Sequence, residues 1–421
     1  MTNSSGEAAS SPSLLPSRRA FLGAVGAGAA LMSAPTLAGM APASAKRTDA
    51  GGFLLPHDLT YLNNGSLGPS PVSAINAVAR ASRTVQADPV GQAWGPLLDE
   101  AERARAGAAS LLGCDVEELA VTRNTTEGMN LVAQGLDLRE GDRVLTTDHE
   151  HAGGSRCWRY LERHRGVGVD RVHLPVGDVD ADRIVRLFEE AWTPRTKVVS
   201  VSHVTFTTGT RLPIAPIAAL AEGRGALVVV DGAQGPGALR VNVRELRCDA
   251  YATSAHKWLL APMGTGLLYI RASARERIRP MMLADGMGVY SAAGGTRDLP
   301  SIVGLGAAIE FLRRQGLDQV EQHARNLRQR VYESCGRIQG VQVVSPRSWP
   351  MASPIVTLRV PPHVKAHDLV QRLCRNHHVV VKLMNHGDLE GIRISTHIYN
   401  DEDDVDRLVA ALEQDLNPHG S

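Results

Sequence analysis

Only five cysteines occur in 421 residues, and Cys114, Cys157, Cys248, Cys335 and Cys374 lie far apart with no C-x-x-C pair. That spacing argues against a zinc site and calls for no disulfide framework, leaving room for one bridge. A charge excess is missing as well: 45 basic residues face 44 acidic ones. No basic run or aromatic-interleaved patch stands out, so nothing points to nucleic acid, and the expected partners are small molecules. There is no G-x-x-x-x-G-K-[ST] loop and no strand followed by G-x-G-x-x-G, which argues against a nucleotide-binding enzyme. Internal repeats are absent too. What remains is a chain with 43% hydrophobic residues, long enough for one large or two ordinary domains with a real core.

The first 45 residues differ from the rest. Their only charges are Glu7, Arg18 and Arg19, and the paired arginines precede Phe21, Leu22 and an Ala/Gly-rich apolar stretch ending in Ala43-Ser44-Ala45. Polar head, weakly apolar middle and small-residue cleavage site make an export signal, and the adjacent arginines resemble a twin-arginine signal. The expectation is cleavage after Ala45 and a mature protein in the periplasm or outside the cell, with no membrane span left. Twin-arginine systems export folded proteins, which suits an enzyme that takes up its cofactor in the cytoplasm.

Beyond residue 50, short apolar runs alternate with amphipathic stretches. Residues 144–148, 171–176, 197–204, 226–234, 250–256 and 266–271 read as strands, with helices over 180–192 and 214–225. Near-continuous apolar strands separated by helices predict an α/β fold with a mostly parallel sheet covered on both faces. Such sheets bind ligands at the carboxyl ends of their strands. A long helical stretch from about 301 to 335 then leads into "QVVSP", "PIVTLRV", "HHVVVKLM" and "GIRIST", a smaller α+β domain. The expected layout is a signal at 1–45, an arm at 46–65, a large domain at 66–300, a small domain at 301–415 and a tail at 416–421.

Two side chains fall at predicted strand ends. "ALVVVDGAQ" delivers Asp231 into the ligand crevice, and "SAHKW" delivers Lys257 two dozen residues later. A partly desolvated amine near other cations has a lowered pKa and can form a Schiff base with a carbonyl cofactor. Pyridoxal phosphate needs this pair: a lysine for its aldehyde and an acid that keeps its ring nitrogen protonated.

From about residue 58 to 412 the chain resembles the class V, fold type I pyridoxal-phosphate enzymes, which include cysteine desulfurases and isopenicillin N epimerase-like proteins. The motifs occur in the family's order. "TRNTTEGMN" resembles the phosphate-binding turn, with Thr125 and Thr126 opening a helix. "DHEHAGGSRCW" resembles the segment whose aromatic residue stacks on the cofactor, here His151, and "SHVTFTTG" the segment that places His203 beneath it. In "DGAQ" the resemblance assigns Asp231 to the pyridine nitrogen, Ala233 to the ring face and Gln234 to the phenolic oxygen. In "SAHKW" it assigns Ser254 and His256 to the phosphate and Lys257 to the aldehyde. "GGTRDLPS" resembles the turn that lends Gly295 and Thr296 to a partner's phosphate site, implying a homodimer. "GIRISTHIYN" supplies Arg393, whose forked donors suit a substrate α-carboxylate. The implied fold is a large domain built on a seven-stranded-type sheet, followed by the smaller domain.

The reaction is less constrained, because one cofactor supports loss of an α-proton, a β-substituent or a carboxylate. Desulfurases carry a nucleophilic cysteine shortly before the carboxylate-binding arginine, but residues 379–395 have none, and Phe206 stands where those enzymes usually place asparagine. Cys374 falls on a predicted helix, and Cys157 lies beside the expected cofactor stack as a packed thiol. "LTYLNNGSLGPSP" resembles the epimerase-like branch, in which Asn64 and Gly65 line the site mouth near the substrate carboxylate. That branch also contains C–S lyases and exported enzymes that tailor siderophores. The expectation is an exported enzyme acting on an amino acid or peptide-borne amino acid, with Lys257 as general base, His151 as a stacking group and proton relay, and Asp231 stabilising the ring charge. Epimerisation or another α-carbon change leads; β-elimination and transamination follow. A non-catalytic exported binding protein would have no chemical need for Lys257, Asp231 and Arg393 together.

Overall fold

A computed structural model describes residues 52–416. The expected signal, residues 46–51 of the expected arm and residues 417–421 of the tail lie outside the described residues.

The chain enters through a short strand, β1 (Thr60–Tyr61), and then three helices, α1 (Val72–Ala87), α2 (Pro89–Ala93) and α3 (Pro96–Leu112). The large sheet is built from β2 (Leu119–Thr122), β3 (Arg143–Thr147), β4 (Gly168–Val172), β5 (Thr196–Ser202), β6 (Leu227–Asp231), β7 (Ala250–Ser254) and β8 (Gly266–Ile270). Between them run α4 (Thr125–Gly135), α5 (Ala152–Arg165), α6 (Ala181–Glu190) and α7 (Ile214–Glu222). The seven strands lie in the order β2-β8-β7-β6-β5-β3-β4. All neighbours are parallel except those of β8, which runs antiparallel to both β7 and β2. Burial on both faces explains the composition: every residue of β6, β7 and β8 is buried, so these strands are continuous apolar runs rather than alternating ones.

After the sheet come α8 (Leu299–Gln315) and α9 (Leu317–Gly336). The sequence reads 301–335 as one helical stretch in the small domain, but Gly316 adopts φ +78° and breaks it. The two halves serve different cores. Leu299, Ile302, Leu305, Ala308 and Leu312 of α8 join the large core beside Ala74 of α1 and Ala101, Ala104 and Ala108 of α3. Leu327, Val331 and Cys335 of α9 join the small one.

The small domain holds β9 (Gln342–Val343), β10 (Ile355–Arg359), α10 (Ala366–His377), β11 (Val379–Val380), β12 (Lys382–His386), β13 (Leu389–Ser395) and α11 (Glu402–Leu416). Its antiparallel sheet has the order β12-β13-β10-β9. The arm strand β1 pairs in parallel with β11, tying the start of the described chain to the small domain. No described helix is long and apolar enough to cross a membrane.

Candidate active site

The parallel strands β3, β5, β6 and β7 end side by side, and the segments leaving them carry Glu150 and His151, His203, Asp231, and Ser254 to Lys257. Close backbone contacts hold the lysine. Asn64 Nδ2 donates to the Lys257 carbonyl at 3.4 Å, and the Gly68 amide donates to the His256 carbonyl at 2.9 Å. A Cβ on Gly68 would stand 2.2 Å from the Lys257 carbonyl, and one on Gly237 2.2 Å from the Trp258 carbonyl. Both positions therefore demand glycine. The half-buried Lys257 amine is pushed down to about 8 by burial and by the Arg393 and Lys382 cations, against the pull of Asp231.

Asp231 is buried at the end of β6, and its Oδ1 accepts the Ala233 amide at 3.0 Å. Burial pushes its carboxyl up, while the Ala233 amide and Lys257 oppose the shift. Its other oxygen lies against the first turn of α5: a Cβ on Gly154 would sit 2.3 Å from Oδ2. Behind it the His203 amide donates to the Asp231 carbonyl at 2.8 Å, and the buried His203 ring places Nδ1 2.9 Å from the Tyr251 hydroxyl with Nε2 unpartnered. Burial lowers that imidazole to about 3. Glu150, the glutamate that precedes His151 in the same motif, accepts through its carboxylate from Ser202 and Thr147 and is pushed up to about 7 by burial.

At the opposite end, β7 meets the start of α4. Ser254 Oγ accepts the Thr125 amide at 2.8 Å and lies 2.8 Å from Thr125 Oγ1. The Asn124 side chain caps the helix by accepting the Glu127 amide at 2.9 Å. Thr126 is exposed and His256 half-exposed, so first-turn amides and two polar side chains face the cleft where an anion binds well. Gly153, at the start of α5, closes this corner: its Cβ would stand 2.5 Å from Thr126 Oγ1. Burial and Lys257 lower the His256 imidazole to about 4.

The small domain brings Arg393, buried to 1% exposure. Its two terminal nitrogens donate to the Phe206 carbonyl at 2.9 Å and to Ser66 Oγ at 3.0 Å, while Nε has no partner. No described ion pair includes it, and burial lowers its pKa to about 10. A buried guanidinium with idle donors and no acid partner is chemically able to receive an anion. Lys382, unremarked in the sequence, stands directly across the sheet from Arg393 and is lowered to about 8 by burial and by that arginine. His151 caps α5, its Nδ1 accepting the Gly153 amide at 3.0 Å, so Nε2 carries the proton in the neutral ring. The residue is solvent-accessible at the cleft mouth, yet the protein behind it and the cations Lys257, Lys382 and Arg393 hold its imidazole near 4. Phe206 meets it edge-on at 5.0 Å.

Some expected site residues are placed differently. The Asn64 carboxamide is committed to the Lys257 carbonyl and to the Tyr399 hydroxyl, which donates at 3.1 Å, so it supports the lysine from behind. Gln234 donates to the Gly65 carbonyl at 2.9 Å and accepts from Trp258 Nε1 at 2.6 Å, which fixes the arm across the site. Gly295, at φ +68°, and the exposed Thr296 lie on a turn anchored by Arg297 to the Val121 carbonyl at 2.9 Å. None of the described contacts of that turn reaches Lys257 or Asp231. All five cysteines are unbridged, and burial raises every thiol, Cys157 to about 12. No cluster suited to a metal ion occurs among the described residues.

These residues fit pyridoxal phosphate. A buried carboxylate without a cation bonded to it, a cradle that a Cβ at Gly154 would fill and an amine of lowered pKa occupy one end of the cleft, while helix amides and hydroxyls occupy the other. The sequence matches the Aminotransferase class-V family over residues 61–408. It is 32% identical over 383 residues to isopenicillin N epimerase of Amycolatopsis lactamdurans, covering 85% of this chain and 95% of that one. It is 29% identical over 386 residues to a probable cysteine desulfurase of Methanothermobacter thermautotrophicus, covering 86% and 95%. Among solved structures, it is similar to the apo cysteine desulfurase of Thermococcus onnurineus NA1, with a TM-score of 0.77, 25% identity and coverage of 87% and 96%. The cystine C–S lyase C-DES, solved with its product cysteine persulfide, gives 0.75 and 26%, with coverage of 85% and 98%. The parallel sheet, the strand-end lysine and aspartate and the matched family agree: this chain belongs to the class V aminotransferases and is a pyridoxal-phosphate-dependent enzyme.

Proposed function

We propose that the protein is an exported, homodimeric enzyme that labilises the α-proton of an amino acid or peptide-borne amino acid, with epimerisation as the leading outcome. The carrying observation is the pairing of Arg393, buried and without an acid partner, with a Lys257 amine whose pKa falls to about 8. When bound, pyridoxal phosphate supplies an aldehyde for the substrate amine and a sink for electrons released at the α-carbon.

The chain's own groups do the rest. Arg393 holds the α-carboxylate through its free donors and so fixes the α-carbon. Lys257, close to half neutral near pH 8, accepts the α-proton as general base. Asp231 keeps a proton on the cofactor's ring nitrogen, at a strand end where its carboxylate is already positioned by the Ala233 amide. The first turn of α4, Ser254 and His256 receive the phosphate. Neutral His151 presents its Nε2–H at the cleft mouth as a hydrogen-bond donor to water, and water is the source of the proton returned to the α-carbon.

Persulfide transfer lacks a nucleophile, since every thiol is raised by burial and none lies between Val379 and Ser395. Release of a sulfur substituent by β-elimination needs no thiol, and the likeness to a C–S lyase keeps it as the second reading. Export is supported by Arg18 and Arg19 ahead of the Ala/Gly-rich stretch. Fractionation of cells making the full chain or its Arg18→Lys/Arg19→Lys form tests it, and equal partitioning of the two would remove it.

Purified protein given the cofactor should show an absorption band near roughly 410–430 nm that Lys257→Ala abolishes. An amino-acid panel in deuterium oxide should then exchange α-protons without releasing sulfide or pyruvate. Sulfide or pyruvate with little exchange would instead establish the elimination reading.

A further inference from the structure

The register of the small sheet places two cations face to face. Lys382 of β12 is the direct partner of Arg393 of β13 in an antiparallel pair, and in that register Met384 and His386 share their face. Like charges directly opposite on a sheet are destabilising, and burial makes the repulsion costlier. No acid offsets it: neither side chain takes part in a described ion pair, and the charges acting on Lys382 and its neighbours Lys257 and Arg393 from one another are all cationic. A fold tolerates such a conflict where a ligand resolves it.

One carboxylate does not use both groups. Of five N–H donors on Arg393, two are spent on Phe206 and Ser66. The rest match a single carboxylate in a bidentate pair, which leaves the partly exposed Lys382 ammonium without an acid partner among the described residues. The wall next to it is aromatic. Phe206 lies 5.3 Å from His386, His386 5.8 Å from His149, and His386 is fixed by a 2.7 Å contact between its Nε2 and the Asp148 carbonyl. A short apolar spacer packs on such a wall, with a charged group at its end. With Arg393 matched by the α-carboxylate, Lys382 contributes one positive charge, which suits a singly charged terminus.

Resting on the reading of Arg393 as the α-carboxylate site, we infer that Lys382 is a specificity residue that binds a second carboxylate, so the enzyme takes amino acids whose side chains end in an acid. The juxtaposition of Lys382 and Arg393 across one sheet pair, beside the Phe206 and His386 wall, carries this inference.

The test compares succinate, glutarate and adipate with butyrate, pentanoate and hexanoate by titration calorimetry, using the full chain with and without cofactor. At least one diacid should bind about tenfold more tightly than the monoacid of similar length, the worth of one charge-assisted contact. Lys382→Met should bring that ratio close to one, and Lys382→Arg should retain it. Folding of each variant is checked by its melting curve. The inference falls if no diacid is preferred, including the case in which nothing binds, or if the preference survives Lys382→Met. The Lys257-dependent absorption band, recorded on the same preparations, separates the two claims. A band without diacid preference removes only the side-chain assignment, and a missing band removes the cofactor reading itself.

Discussion

At the scale of single residues, the site stores unfavourable charge in its lysines. Lys382 and Lys257 both fall from 10.5 to about 8, mainly because burial penalises the ammonium. A group whose folded pKa lies below its unfolded value binds fewer protons in the folded state between those two values. Stability therefore rises with pH from about 8 to 10.5, and the full penalty is present below 8. Lys382→Met should melt higher than the wild type at pH 7, by an amount on the order of 1–3 kcal/mol for a half-buried group. The gap should close as pH approaches 10.5 in paired melting curves. A gap that is absent at pH 7, or that widens with pH, would show that Lys382 is not strained. This strain also explains what the sequence could reveal. Lys257, Asp231 and Arg393 stand in recognisable motifs, but Lys382 lies in "HHVVVKLM", where a lysine reads as an ordinary strand residue. Only the register opposite Arg393 gives it a role, and register is a long-range property.

At the scale of elements, the glycines decide how closely helices approach the strand ends. The "AGGS" start of α5 puts Gly153 against Thr126 and Gly154 against Asp231. Gly154→Ala would drive a methyl group to 2.3 Å from Asp231 Oδ2, whose carboxylate is pinned by Ala233 and cannot easily yield. We expect cofactor dissociation to speed up by about tenfold or more, since one misdirected hydrogen bond to a charged group is worth that much. Gly107→Ala in α3 is the control: its Cβ meets nothing within 4 Å, so the change should stabilise by about 0.5–1 kcal/mol. Equal cofactor retention in both variants would show that the Gly154 approach is not needed. Most of the buried parallel strands were legible because burial on two faces leaves continuous apolar runs. The four-residue β2 was not, because "LAVT" is too short to show a period. Strand β4 begins at Gly168, earlier than its apolar content implies, because only Val172 in it is fully buried.

At the scale of the whole molecule, the site is gathered from distant parts of the chain: the segment after β1 gives Gly65 and Ser66, the strand ends of the large sheet give Asp231 and Lys257, and the small domain gives Arg393 and Lys382. Even so, one element expected at the phosphate makes no described hydrogen bond to Thr125, Ser254 or His256. The turn carrying Gly295 and Thr296 is anchored by Arg297 to the Val121 carbonyl, and Thr296 is exposed. Nearby, Tyr290 packs against Trp94 at 6.5 Å while both remain largely exposed, as does Met281. Apolar surface of this kind beside an unused polar turn fits a two-fold interface in which each copy lends its turn to the other. Thr296→Asp would set a negative charge against the partner's phosphate site, and Lys257→Ala would remove the amine from its own. Each variant alone should be inactive. In a dimer of one with the other, the site that keeps Lys257 also receives an intact Thr296, whereas the second site lacks both. An equal mixture, dissociated and reassembled, should recover about a quarter of the wild-type sites, because half of random dimers are mixed and each has one good site. Activity and cofactor content can both be read on the same mixture. No recovery despite demonstrated subunit exchange would mean that the turn serves its own chain or none, and activity in Thr296→Asp alone would mean that the phosphate is held without it.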